Sequence, residues 1–124
     1  MKHPASSDEN NDRCLMVIKR GRATGLTIGR ANEICSYVRE GYSKYGVYGT
    51  SKEWTIIPCD SKHGPFSLAG DSGSVIVDGQ GRIGGVLTGG TGFADPSDIT
   101  YATPISFILD RMQFHGLSKP NVDF

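Results

Sequence analysis

The residues best suited to chemistry are Gly70-Asp71-Ser72-Gly73-Ser74, a serine hydroxyl between two glycines and beside a carboxylate, where a polar loop meets an apolar strand. A hydroxyl so placed suits acyl transfer, a reaction that builds negative charge on a carbonyl oxygen. Two backbone N–H groups aimed at that oxygen in a dry site stabilise it by several kcal/mol. Glycines at 70 and 73 permit the sharp turn that presenting such groups requires. The same string also reads as a Gly-rich β-turn whose aspartate caps its own backbone. A serine near neutral pH is a poor nucleophile until a base takes its proton, and the chain has three histidines, His3, His63 and His115. His63 with Asp60 makes a local Asp/His/Ser order, but it also reads as an ordinary exposed loop histidine. His3 lies in a polar arm, and His115 follows the terminal helix, where it suits the helix dipole. Gly89, Gly90 and Gly92 read equally as a flexible loop. No strand-Gly-helix arrangement or GK[ST] follows them, which argues against a phosphate cradle.

The elements that must position these residues are short. Residues 1 to 13 are polar, mixed in charge and without periodicity, and read as an arm or linker. From Cys14 onward, apolar runs are punctuated by glycine: CLMVI, LTIG, NEICSYVRE and EWTIIPC, the last with Trp54 and Ile56 on one face, Thr55 and Ile57 on the other, and Pro58 closing it. Val75 to Val77 and Ile83 to Leu87 flank Asp78-Gly79-Gln80-Gly81-Arg82, the length and composition of a hairpin connection. ITYAT supplies a further strand. A helix is predicted from Pro104, with Thr103 as its cap, to Phe114, with Gly116 as the stop. Ile105, Ile108, Leu109 and Met112 then form one apolar stripe facing the sheet. About six strands, a hairpin and a terminal helix predict an all-β fold, a six-stranded antiparallel barrel closed by a C-terminal helix. The domain spans 14 to 115, followed by a tail over 116 to 124.

Composition narrows the function classes. Thirteen basic residues balance thirteen acidic ones among 124, for a formal net charge of zero. No global positive field draws the chain onto nucleic acid or an anionic membrane. The Tyr/Gly-rich stretch GYSKYGVYGT lacks the Lys/Arg density of a stacking platform. The longest apolar run, Leu15 to Ile18, is far below the roughly 20 residues of a membrane span. The N-terminus lacks the apolar core of a secretory signal, so either an intracellular location, cytoplasmic or nuclear, or a chain already processed is expected. Cys14, Cys35 and Cys59 have neither CxxC nor Cys/His metal spacing. They are expected to be free thiols, with no metal and no cofactor implied.

Four segments in order resemble trypsin-like serine proteases, in particular the cysteine-poor HtrA/Deg-type branch and its C-terminal β-barrel. These are VIKRGRATGLTIGRA, GDSGS, VIVDGQGRIGGVLTGG and ITYATPISFILDRM, about half of the residues between Cys14 and Gln113, and the resemblance to that barrel extends over nearly all of this range. The departure is Ser74, where the nucleophile loop GDSGG ends in glycine. The resemblance implies a barrel of the trypsin-like type, with Ser72 as nucleophile and the N–H groups of Gly70 and Ser72 as the oxyanion hole. Asp71 would pair with a newly formed N-terminus or with a local donor. Thr88, Gly89 and Gly90 fall where the family pairs substrate backbone as an added strand. Phe66 falls near the base of the pocket for the side chain before the cut, which implies a small or apolar preference. In this family the catalytic His and Asp come from a first barrel upstream, so neither is expected among these 124 residues. The expected function is therefore a serine endopeptidase lobe that needs an N-terminal barrel, inactive alone. The alternatives are an inactive pseudoprotease that binds extended peptides, and a small interaction protein in which the motif is a relic. The implied partners are an extended peptide or protein substrate and either an N-terminal lobe or a second copy of the chain.

Overall fold

The computed structural model describes residues 15–39, 50–59, 62, 64–91, 99–118 and 120. Six strands are formed: β1 (Leu15–Gly21), β2 (Gly25–Arg39), β3 (Thr50–Pro58), β4 (Val75–Asp78), β5 (Ile83–Gly90) and β6 (Thr100–Pro104), followed by α1 (Ile105–Phe114). All pairings are antiparallel, and the order β1-β2-β3-β6-β5-β4 closes on itself as a barrel. The predicted six-stranded antiparallel barrel with a C-terminal helix is the observed fold.

Strand alternation places the core. Leu15, Val17, Ala31, Ile56, Phe66, Ile76, Leu87 and Ala102 fill the interior, with Trp54 packed against them. Trp54 and Ile56 thus share the inward face of β3 as their spacing predicts, while Ile57 is exposed. In β1 the inward row is Leu15, Val17 and Lys19, and alternation continues it to Gly21, so a lysine follows two apolar residues into the barrel. The β4–β5 hairpin has the predicted connection. The Asp78 carboxylate accepts the N–H groups of Gln80 and Arg82, each at 2.9 Å, and pairs with the Arg82 guanidinium. Burial works against the Asp78 anion, yet these bonds hold its carboxyl below the usual carboxylate range.

Two boundaries differ from expectation. LTIG and NEICSYVR join into one 15-residue strand, β2, with a register irregularity between Ala31 and Cys35. Gly29 does not break it. A Cβ there would lie 2.6 Å from the Phe66 ring, so the glycine makes room for a core side chain instead of a turn. The helix begins at Ile105, with Pro104 as its N-cap and no side-chain cap. Thr103 cannot serve, because its hydroxyl donates to the Glu53 carboxylate at 3.0 Å, and Pro104 is still paired with Gly85 in the sheet. The helix ends as expected. Gly116 N–H donates to Gln113 C=O and Leu117 N–H to Met112 C=O, a Schellman motif. Leu109 is the buried member of the predicted stripe, and α1 packs on β5 and β6.

Candidate functional site

The GDSGS string forms the connection into β4. Asp71 N–H donates to Leu68 C=O at 3.1 Å, and Ser74 N–H to Asp71 C=O at 3.1 Å. Gly73 N–H then reaches Leu87 C=O at 2.8 Å, and Leu87 N–H reaches Ser74 C=O at 2.9 Å, which extends the β4–β5 ladder up to the loop. The backbone at Gly70 has φ +103°, a conformation that L side chains rarely adopt, so glycine is required where the chain reverses. Ser74, the departure from the family pattern, donates its hydroxyl to Asp71 C=O at 2.6 Å and closes the turn with a side-chain bond. Successive side chains consequently diverge: Asp71 is fully buried, while Ser72 is exposed.

Inward, the Asp71 carboxylate meets the β1–β2 turn. Its Oδ1 accepts Ala23 N–H at 2.7 Å and Thr24 N–H at 3.2 Å, and its Oδ2 accepts the Thr24 hydroxyl at 2.6 Å and Leu68 N–H at 3.0 Å. Lys19 Nζ lies 3.6 Å from Asp71 Oδ2, with both side chains fully buried. The ammonium also donates to the Thr24 hydroxyl and, at 3.2 Å, to Gly25 C=O, and it sits 5.5 Å from the centre of the Phe66 ring. Burial opposes the Asp71 anion, but the bonds from Thr24, Leu68 and Ala23 outweigh it and hold the carboxyl at about 2. Burial lowers Lys19 from its ordinary value, and Asp71 acts in the opposite direction. Of the two partners that the resemblance allows for Asp71, the local donor is therefore present in the form of Lys19. These contacts anchor the loop to the barrel. Gly21 belongs to the same arrangement, since a Cβ there would fall 2.2 Å from Asp71 Oδ1.

Outward, Ser72 Oγ lies 3.5 Å from Thr88 C=O on β5. Thr88 is the extra residue of a bulge, because Leu87 pairs with Ala102 and Gly89 with Tyr101, and its hydroxyl donates to Tyr101 C=O at 3.2 Å. Thr88, Gly89 and Gly90 thus lie on one strand end, with the first of them beside the serine. Among the described residues, no acceptor takes the N–H groups of Gly70 and Ser72. Both residues are exposed.

Phe66 is a correction. It is 1% exposed and packs in the barrel interior, with its carbonyl accepting the Thr27 hydroxyl at 2.7 Å, so it offers no surface to a ligand. Counting six residues back from Ser72 locates the position in sequence, but the polar loop carries the ring into the core. The preference for small or apolar residues that was drawn from Phe66 loses its basis. Asp60, His63 and His3 lie outside the described residues. His115 is exposed at the end of α1, 3.3 Å from the Arg111 guanidinium and edge-on to Phe114. Among the described residues no imidazole bonds Ser72, and no cluster of His, Cys, Asp or Glu could hold a metal ion.

Lys19 and Thr24 belong to the candidate site through their contacts with Asp71, and reading for motifs missed both. The signal was present in the alternation of β1, where Lys19 falls in register with Leu15 and Val17 and must be buried. A buried lysine requires an anion. No protein-family model and no curated protein matches the chain. What the fold and site define is thus a class by architecture: a closed six-stranded barrel that presents an exposed serine on a loop anchored by a buried lysine–aspartate pair.

Proposed function

We propose that the chain is the nucleophile-bearing lobe of a trypsin-like serine endopeptidase of the HtrA/Deg-type branch. Ser72 is the nucleophile, and the N–H groups of Gly70 and Ser72 stabilise the oxyanion. Ser72 Oγ attacks the scissile carbonyl carbon, and a histidine oriented by an aspartate, both from an N-terminal barrel, takes the hydroxyl proton and returns it to the leaving amine. The observation that carries this reading is the division of labour within the loop. Asp71 is locked inward on Lys19, while Ser72 is exposed beside Thr88 and, among the described residues, the N–H groups of Gly70 and Ser72 have no acceptor. A partner lobe has a surface to meet: a groove of about 500 Å³ lined by Ile18, Leu26, Val75 and Val77 together with Lys19 and Arg20 reaches Gly73 and Ser74, next to the proposed nucleophile. Leu26 and Val75 are 67% and 46% exposed, more apolar surface than an isolated strand face needs. Cys59 is a free thiol, and among the described residues no helix is long and apolar enough to cross a membrane.

Fluorophosphonate labelling tests the reading. The chain alone should label negligibly, because without the base only about three to four orders of magnitude of acceleration over water remain. Addition of a barrel bearing His and Asp should restore labelling, and Ser72→Ala should abolish it. Rapid labelling of the chain alone that His63→Ala removes would show instead that Asp60, His63 and Ser72 form a local site. One observation favours a second reading, a pseudoprotease that holds extended peptides. Among the described residues, the end of β5 is paired with β6 on one side and past Ser74 has no strand partner on the other. No labelling in any form of the protein, together with capture of extended peptides, would establish that reading.

A further inference from the structure

We propose that the outward face of α1 is a self-association surface, on which the same helix of a second copy of this chain docks antiparallel about a two-fold axis centred between Asp110 and Arg111. No residue of the serine loop takes part, and the surface serves whether or not Ser72 is a nucleophile.

The helix has two faces. Ile105, Ile108 and Met112 are half-buried and Leu109 is buried where α1 packs on β5 and β6. At about 3.6 residues per turn, Phe107, Asp110, Arg111 and Phe114 fall within about 100° of arc on the opposite side. All four are exposed, Phe107 to 57% and Phe114 to 74%, and Leu117 just past the helix end is exposed to 57%. Scattered apolar residues on a surface need no explanation, but two phenyl rings in one stripe of a ten-residue helix mark a place of contact.

The stripe is complementary to itself. Reversing the helix about the point between residues 110 and 111 exchanges Phe107 with Phe114 and Asp110 with Arg111. An isologous contact demands this, since residue i must suit residue j and residue j must suit residue i. Two antiparallel copies therefore set two Phe107–Phe114 ring contacts on either side of two Asp110–Arg111 ion pairs. A parallel pair sets Asp110 against Asp110 and Arg111 against Arg111, and these like charges oppose it.

Within one copy these charges are ready for a partner. The Asp110 carboxylate has no ion pair or side-chain hydrogen bond among the described residues. The Arg111 guanidinium lies 4.7 Å from the centre of the Phe114 ring and 3.3 Å from His115 Nε2, so the cation is held over the ring with further N–H donors available to a carboxylate. The contact is small. Ten helical residues span about 15 Å, well short of the roughly 800 Å² per partner of a standard stable interface. The dimer is therefore a weak one that forms at high concentration.

The test is analytical ultracentrifugation of the 124-residue chain from micromolar to millimolar concentration, with thermal melts to confirm that each variant is folded. The weight-average mass should rise with concentration from that of one chain towards that of two. Phe107→Gln with Phe114→Gln should abolish the rise. Asp110→Arg alone and Arg111→Asp alone should each weaken the dimer by about ten-fold or more, because each sets like charges face to face. The exchange variant, Asp110→Arg with Arg111→Asp, should recover most of the loss, because the two-fold axis again opposes unlike charges. A chain that stays monomeric at millimolar concentration would overturn the proposal. A dimer unmoved by the phenylalanine substitutions would overturn the assignment to α1, and failure of the folded exchange variant to recover would overturn the antiparallel register.

Discussion

Replacing Lys19 by methionine tests the anchoring of the serine loop most directly. Methionine keeps the length of the lysine stem and packs in the same interior, so the change removes the ammonium and little else. The Asp71 carboxylate then stays buried without its cation. Removing one partner of a buried ion pair costs about 3–5 kcal/mol because the other charge is left uncompensated. Asp71 retains its bonds from Ala23, Leu68 and both donors of Thr24, which places the cost at the lower end, about 3 kcal/mol. For a chain of this size, about 4 °C per kcal/mol converts this to a fall in Tm of about 12 °C. Urea denaturation followed by the fluorescence of the single Trp54, with thermal melts by circular dichroism, measures both quantities. Asp71→Asn strands the lysine instead and should cost at least as much, since an amide nitrogen would face N–H donors. The double variant should lose less than the sum of the two, with a coupling of about 1–3 kcal/mol. Lys19→Met within about 0.5 kcal/mol of the parent chain, the range of an ordinary surface substitution, would refute the buried pair and with it the argument that this pair anchors the serine loop.

Acid should remove part of the same stability. The Asp71 carboxyl sits at about 2 when folded against an ordinary 3.8, so its contribution is complete above about pH 5 and fades as pH falls towards 2. The loss amounts to about 2 kcal/mol and should be absent from Asp71→Asn in a pH series of urea melts. Lys19 is lowered by burial, so its contribution becomes more favourable as pH rises through its folded value and does not weaken the fold in alkali. Gly21→Ala should destabilise by about 2 kcal/mol or more, because the added Cβ meets the Asp71 carboxylate at 2.2 Å, and thermal melts would read it directly. Phe66→Ala should cost about 3–5 kcal/mol through an unfilled core, and it should do so without altering which peptides the chain binds. A change in peptide preference at unchanged stability would return Phe66 to a ligand pocket.

The sequence by itself determined the elements and their order. The short β-rich runs, the Asp78–Arg82 connection, the face of β3 that carries Trp54 and Ile56, and the stop at Gly116 all follow from alternation and local turn chemistry, which depend only on near neighbours. The candidate nucleophile was legible for the same reason, since GDSGS is one contiguous string. What only the tertiary structure decided depends on residues far apart in the chain. Lys19 and Asp71 are 52 positions apart, and their pairing exists because barrel closure brings β1 beside β4. Phe66 sits in what reads as a polar loop, yet closure folds it inward against Gly29 and Ile56, so a position counted along the sequence became core. Thr103 was a sound helix cap by local rules until Glu53, on a neighbouring strand, took its hydroxyl. Local preferences are worth tenths to about one kcal/mol per residue. Burying a ring, or a charge that must find its partner, is worth several. Where the two conflict, long-range contact decides.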